Sequence, residues 1–214
     1  MRLREEWERQ VYRASRLDEF RMYQSGEMFN GDEYTAAEFI KRMTTREEND
    51  AMAAGTAVHK LIEDIGFGVL PEHADMNGWH VHFDLDADAA VPLSREVPLF
   101  REHKGIPLYG RCDAMGGHVV HDIKTTQAID IDRYMDSFQW RAYLWQSGRK
   151  NFVYDILKVK VEADIKVVTV EDYTRLKFSA YPNMDRDVQN LLVDFDAAVR
   201  ALGIPEIMRQ QQAA

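Results

Sequence analysis

Gly116-Gly117 separates two runs of β-compatible sequence, Pro107–Met115 and His118–Thr125, and a glycine pair in that setting marks a tight hairpin. A chain with a hairpin at its centre cannot be a helical bundle. A third run, Arg95–Arg101, precedes it across Lys104-Gly105, so the expected unit is a meander of three strands. The period changes on both sides. Upstream, Val58, Leu61, Ile62 and Ile65 recur at i, i+3, i+4 and i+7, which predicts a buried helical stripe ending at Gly66 and Gly68. Ser15, Thr35 and Thr45 each stand three residues before Asp18, Glu38 and Glu48, the spacing of a helix cap. Downstream, Asp132–Ser147 reads as one helix with Met135, Phe138, Ala142 and Trp145 on one side, closed by Gly148. Phe152–Val159 and Ile165–Val170 then read as strands, and Met184–Leu202 as an amphipathic helix, followed by a polar tail from Arg209. This order predicts a single α/β domain over 1–214: a helical part at 1–68, a mixed sheet flanked by helices at 94–170, and a last helix at 184–202.

Composition narrows the class. With 45% hydrophobic and 29% charged residues the 214-residue chain can bury a core, which excludes a disordered or collagen-like chain. Cys112 is the one cysteine, so neither an internal disulfide nor a four-cysteine zinc or iron–sulphur cage can form. No apolar run approaches the roughly 18 residues that span a bilayer. Met1–Gln10 mixes Arg and Glu without an apolar stretch, and the expected location is the cytoplasm. The net charge of −9 argues against a general polyanion binder, but residues 101–160 hold ten Lys/Arg against seven Asp/Glu, Asp155 among them. That +3 segment would meet phosphates while the rest of the body repels them.

The hairpin also carries the chemistry. A Gly116-Gly117 loop pairs Met115 with His118 and Asp113 with Val120, and alternation then sets Asp113, Asp122 and Lys124 on one face. The two acids become diagonal neighbours, roughly 7–8 Å apart at the backbone, a gap that short side chains close around one cation. Hard divalent ions choose such oxygens. Cys112, Ala114, Val119 and Ile123 on the other face suit a core. The plainer alternative is a solvated acid pair with Lys124 as its ion-pair partner. His59 beside its apolar stripe is either packed or a ligand, and Glu63, one turn on, either backs such a ligand or is solvated. A rival pattern, His80-x-His82-x-Asp84 within Trp79–Asp84, lacks the further histidine and the glycine-rich context of a metallo-hydrolase. Gly66-Phe67-Gly68 lacks the third glycine of a dinucleotide loop, and no phosphate-loop motif of a motor occurs.

Four blocks in order, Gly55-Thr56-Ala57-Val58-His59, Gly110-Arg111-Cys112-Asp113, Asp122-Ile123-Lys124-Thr125-Thr126 and Gln139-Trp140-Arg141-Ala142-Tyr143, resemble the PD-(D/E)XK nuclease superfamily and its RecB-like exonuclease branch. The resemblance spans about Ser15 to Val159. It implies a restriction-endonuclease-like core and metal-dependent hydrolysis of DNA phosphodiesters by water, leaving a 5′-phosphate. It further implies that His59, Asp113, Asp122 and the Ile123 carbonyl bind Mg²⁺ or Mn²⁺. Asp113, Asp122 and Lys124 would be catalytic, Lys124 by positioning or activating the water. Gln139 and Tyr143, one helical turn apart, would contact DNA or support the acids. Cys112 stands where proline is common, and the single cysteine sets the chain apart from the CRISPR-associated exonucleases with their iron–sulphur cluster. A stand-alone exonuclease of phage or bacterial recombination or repair is the expectation, acting on single-stranded DNA or on free ends. A structure-specific endonuclease with the same site, or a non-catalytic nucleic-acid-binding module of the same fold, are the alternatives.

Overall fold

The computed structural model describes residues 5–28, 31–45, 48–65, 70–85 and 96–213. Gly66-Phe67-Gly68, Asp86 to Asp88 and Arg95 lie outside them. The N-terminal part is helical as expected: α1 (Glu6–Val11), α2 (Arg16–Ser25), α3 (Ala36–Thr44) and α4 (Asp50–Ile65). Of the three expected caps only Thr35 acts as one, its hydroxyl accepting from the Glu38 N–H at 3.2 Å. Ser15 is itself in a helical conformation and makes no cap bond. Thr45 ends α3, giving its hydroxyl to the Lys41 carbonyl at 2.7 Å, while Asn49 Oδ1 accepts from the Met52 N–H at 2.9 Å at the start of α4. A hydroxyl can serve either end of a helix, and the intervening loop decides which.

The strands are β1 (His73–Met76), β2 (Trp79–Phe83), β3 (Val97–His103), β4 (Ile106–Cys112), β5 (Ala114–Gly116), β6 (Val119–Thr126), β7 (Asn151–Glu162) and β8 (Val167–Ser179). Six form one sheet in the order β1-β2-β8-β7-β6-β5, with β2–β8 and β6–β7 parallel, so the sheet is mixed. The expected three-strand meander is not one sheet. β3 and β4 form a two-stranded sheet of their own, up to Val97 opposite Cys112, with Tyr109 also bridging to Arg13, and at Asp113 the chain bends and exchanges partners, Ala114 lying opposite His121. Periodicity cannot reveal a strand that changes neighbours midway.

The hairpin register also differs from the expected one. Gly116 pairs with Val119, so the loop is Gly117-His118, and Gly117 takes φ +53°, which a glycine at the first position of such a turn adopts without strain. Continuing that register by one residue brings Asp113 level with Asp122 rather than with Val120.

Two apolar layers sandwich the sheet. Val120, Phe152, Tyr154 and Ile156 face a large cluster with Trp7, Phe20, Trp140, Trp145, Phe195 and Cys112. Ile123, Leu157, Val159, Val168 and Val170 face α4 through Ala54, Ala57, Val58, Leu61 and Ile62. Cys112 and Ile123 thus back onto different layers, because the bend at Asp113 separates their strands.

The expected helix at 132–147 is two: α5 (Ile131–Asp136) and α6 (Phe138–Ser147), closed by Gly148 with φ +68°. Ser137 breaks it by turning its hydroxyl to the Gln139 N–H at 3.1 Å, and Met135, expected on the packed side, is exposed. After α7 (Met184–Ala201) the polar tail forms α8 (Ile204–Ala213), which buries Ile204, Pro205 and Met208. Among the described residues no helix is long and apolar enough to cross a membrane.

Candidate active site

Two glycines let the site's elements close in. A Cβ on Gly55 of α4 would sit 2.5 Å from Thr125 Oγ1 on β6, and one on Gly110 of β4 would sit 2.8 Å from the Tyr143 ring on α6. Bare backbone at these points allows α4 to bring His59, one turn after Gly55, onto the bend at Asp113, where its Nδ1 lies 3.8 Å from Asp113 Oδ1. Asp113 Oδ2 accepts the Ile123 N–H at 2.5 Å, tying the bend to β6.

Asp122 and Lys124 follow on the same face of β6. Lys124 Nζ lies 2.7 Å from Asp122 Oδ2 and 5.8 Å from the centre of the Tyr154 ring. The ion pair lacks hydrogen-bond direction, so Asp122 Oδ2 is buried without a hydrogen bond. Burial dominates this carboxyl and, with the charge of Asp113 adding to it against the pull of Lys124, pushes its pKa up to about 6. Asp113 moves the opposite way. Its burial is outweighed by His59, the Ile123 N–H and Lys124, which hold it below the usual carboxylate range. Burial pulls the Lys124 ammonium down, but Asp122 and Asp113 outweigh it and keep the group charged. Two neighbouring acids with pKa values driven apart, beside a fixed cation, are what acid–base chemistry requires.

Gln139 and Tyr143 are both buried. Gln139 Nε2 donates to the Tyr143 hydroxyl at 2.9 Å, and that hydroxyl donates to the Arg111 carbonyl at 2.9 Å, two residues before Asp113. Of the two expected roles, this geometry fits support of the acids. Glu63 is not drawn in: its carboxylate pairs with Lys60 at 3.0 Å on its own helix. The His80 pattern lies three strands away at the other side of the sheet.

A cavity of about 480 Å³ opens beside Lys124, walled by Thr125, Thr126, Gln139 and Tyr154 on one side and by Ser15, Asp18 and Arg21 of the α2 region on the other, with Arg133 at α5. Asp18 was not foreseen in this role. Its carboxylate reaches across the chain to cap α6, accepting from the Ser137 hydroxyl at 2.7 Å and from the Phe138 N–H, which aims the helix carrying Gln139 and Tyr143. Only the helix break at Ser137 hints at this in sequence. The cationic strip is largely structural: Arg111 pairs with Glu96 at 3.0 Å, Arg141 donates to the Met135, Asp136 and Ser137 carbonyls, and Arg149 donates to the Gly117 carbonyl.

Among solved structures, the fold is similar to that of an alkaline exonuclease from Laribacter hongkongensis, LHK-Exo, at 17% identity and a TM-score of 0.51, covering 98% of this chain and 99% of that one. A putative exonuclease from Eubacterium rectale is similar at 12% identity and a TM-score of 0.50, covering 95% and 87%. The chain shares the fold of these exonucleases. No family model and no curated protein sequence matches it. Within the exonuclease fold the mixed sheet and its flanking helices are as the resemblance implied, and the strand exchange at Asp113 is what brings the two acids level.

The donor set suits a hard divalent ion. Two carboxylates, a backbone carbonyl and one imidazole are available, and the buried Oδ2 of Asp122 has the Lys124 ammonium as its counter-charge. Among the described residues no group of three or more His, Cys, Asp and Glu is placed to hold a metal ion, so His59, Asp113 and Asp122 would have to close in on one.

Proposed function

We propose that the chain is a metal-dependent deoxyribonuclease that hydrolyses phosphodiester bonds from strand ends. The observation that carries this reading is the buried Asp122 paired with Lys124 and close to Asp113 at the hairpin, with Lys124 lining a cavity large enough for a nucleotide. Asp113, Asp122, His59 and the Ile123 carbonyl would hold Mg²⁺ or Mn²⁺. When bound, such an ion supplies charge to offset the developing phosphorane and lowers the pKa of a coordinated water. Asp113, kept ionised by its neighbours, would anchor the cation. Lys124, fixed by Asp122 and resting over the Tyr154 ring, holds a positive charge toward the cavity, where it orients the attacking water and meets the anionic phosphate. Arg21 and Arg133 on the cavity wall suit the flanking phosphates of a strand. The product would carry a 5′-phosphate.

The similarity to exonucleases of known structure supports end-dependent cleavage, and an acidic body with Lys124, Arg21 and Arg133 as the cavity's cations suits single-stranded or end-bearing DNA. Such an enzyme would serve recombination, repair or phage DNA metabolism. The test compares end-labelled linear with closed circular single-stranded DNA in Mg²⁺ and in Mn²⁺. Release of mononucleotides from linear DNA alone is expected. Nicking of the circle makes it an endonuclease, and binding without cleavage of either makes it a non-catalytic module.

A further inference from the structure

The opposite edge of the six-stranded sheet carries three of the chain's seven histidines on one face. In the antiparallel ribbon β1–β2, His73 stands opposite His82 and Asp75 opposite His80, all four exposed, while Trp79, Val81 and Phe83 point into the α4 layer. The Phe83 N–H donates to the Glu72 carbonyl at 2.9 Å. That makes 72–83 a hydrogen-bonded pair, and alternation makes His73–His82 and Asp75–His80 non-hydrogen-bonded pairs, whose side chains approach more closely. The His73 and His82 ring centres are 6.1 Å apart, and the His80 Nδ1 is engaged by the Asp75 carboxylate.

A Zn–N bond of about 2.0–2.1 Å sets each ring centre roughly 3 Å from the ion and a tetrahedral angle sets two such centres about 5 Å apart, so exposed rings 6.1 Å apart come to share one metal by a small side-chain rotation. We propose that His73 and His82 clamp a divalent transition ion of the Zn²⁺ or Ni²⁺ type, at a site separate from the hairpin acids. Imidazole selects these ions over Mg²⁺. Three strand spacings separate β2 from β6, roughly 14 Å. Asp75 and Asp84 add negative charge beside the clamp, and the ion would pin the edge strand β1 to β2. With two protein ligands, water completes the shell. The His-x-His-x-Asp spacing thus points at the right segment for a different reason, since the ligands pair across strands rather than along one.

The test is calorimetric titration of the whole chain with ZnCl₂ in excess Mg²⁺. One ion per chain is expected, with His73→Ala and His82→Ala each weakening binding by at least about tenfold. His80→Ala should weaken it less, and Asp113→Asn and Asp122→Asn should leave it unchanged. All three histidines are exposed, so the variants should fold. As a second readout, Zn²⁺ should slow amide exchange in β1 and β2 of the wild type but not of His82→Ala. Absence of binding, binding that survives both His73→Ala and His82→Ala, or binding lost with Asp122→Asn overturns the proposal.

Discussion

Asp122 on β6 and Asp155 on β7 are both buried carboxylates in parallel neighbouring strands, yet the fold surrounds them in opposite ways. Asp155 receives His121 Nδ1 at 3.0 Å, the Tyr173 hydroxyl at 2.5 Å and Arg175 Nε at 2.7 Å. Burial alone would raise its pKa, but those three donors outweigh it and hold the carboxyl below the usual range. Asp122 has a single charge partner, Lys124, and a second acid nearby, and burial raises its pKa. A carboxylate that only holds strands together is given donors until its burial is offset. One left short of partners keeps its affinity for something the chain itself does not supply.

The contrast predicts a crossed pattern of mutational effects. Asp122→Asn should lower cleavage of end-labelled DNA by at least about 10³-fold by removing an anionic ligand for the cation, as should Lys124→Ala by removing positive charge aimed at the transition state. Unfolding by urea should find Asp122→Asn as stable as the wild type or more so, since a like-charge pair is relieved. Near-native cleavage by Asp122→Asn would remove that residue from the site. Asp155→Asn should do the reverse, costing about 3 kcal/mol of stability by leaving Arg175 and His121 without their acid, while the protein that remains folded keeps its turnover. A cost below about 1 kcal/mol would mean that Asp155 is no structural anchor.

What the sequence made legible divides along the same line. Asp113, Asp122, Lys124, Gln139 and Tyr143 could be read because their relations are local: a two-residue step along one strand, a hairpin, one turn of helix. Even there the hairpin register missed by one residue, since Gly116-Gly117 and Gly117-His118 are equally good turns by composition and the strand exchange at Asp113 decides between them. Asp155 was legible only as one acid among seven in its segment. Its partners come from β6 and from β8, and no spacing rule connects positions 121, 155, 173 and 175. Asp18, whose partner is Ser137, was hidden for the same reason. Local periodicity carries a site built on one hairpin, but not the long-range bonds that support it.

Acid titration sharpens the contrast further. Because the folded pKa of Asp155 is depressed, the unfolded chain takes up the proton first as pH falls, so stability from this group is present above the ordinary carboxylate value and is lost on going down through the folded one. Urea midpoints measured between roughly pH 2 and pH 6 should therefore fall less steeply in Asp155→Asn than in the wild type. Identical acid limbs in the two proteins would show that the group titrates alike folded and unfolded.

The smallest expected effect separates the two roles the resemblance leaves to Tyr143. Its hydroxyl links Gln139 to the Arg111 carbonyl, just ahead of Asp113, and it is buried. Tyr143→Phe leaves the buried Gln139 amide and the Arg111 carbonyl each short of a partner, which costs about 1–2 kcal/mol. Loosening the strand that bears Asp113 should lower kcat a few-fold while KM for DNA holds, because nothing that touches the substrate has changed. A group that met the DNA directly would raise KM instead. A rise in KM with kcat preserved would therefore return Tyr143 to the substrate interface and make the hydroxyl relay incidental.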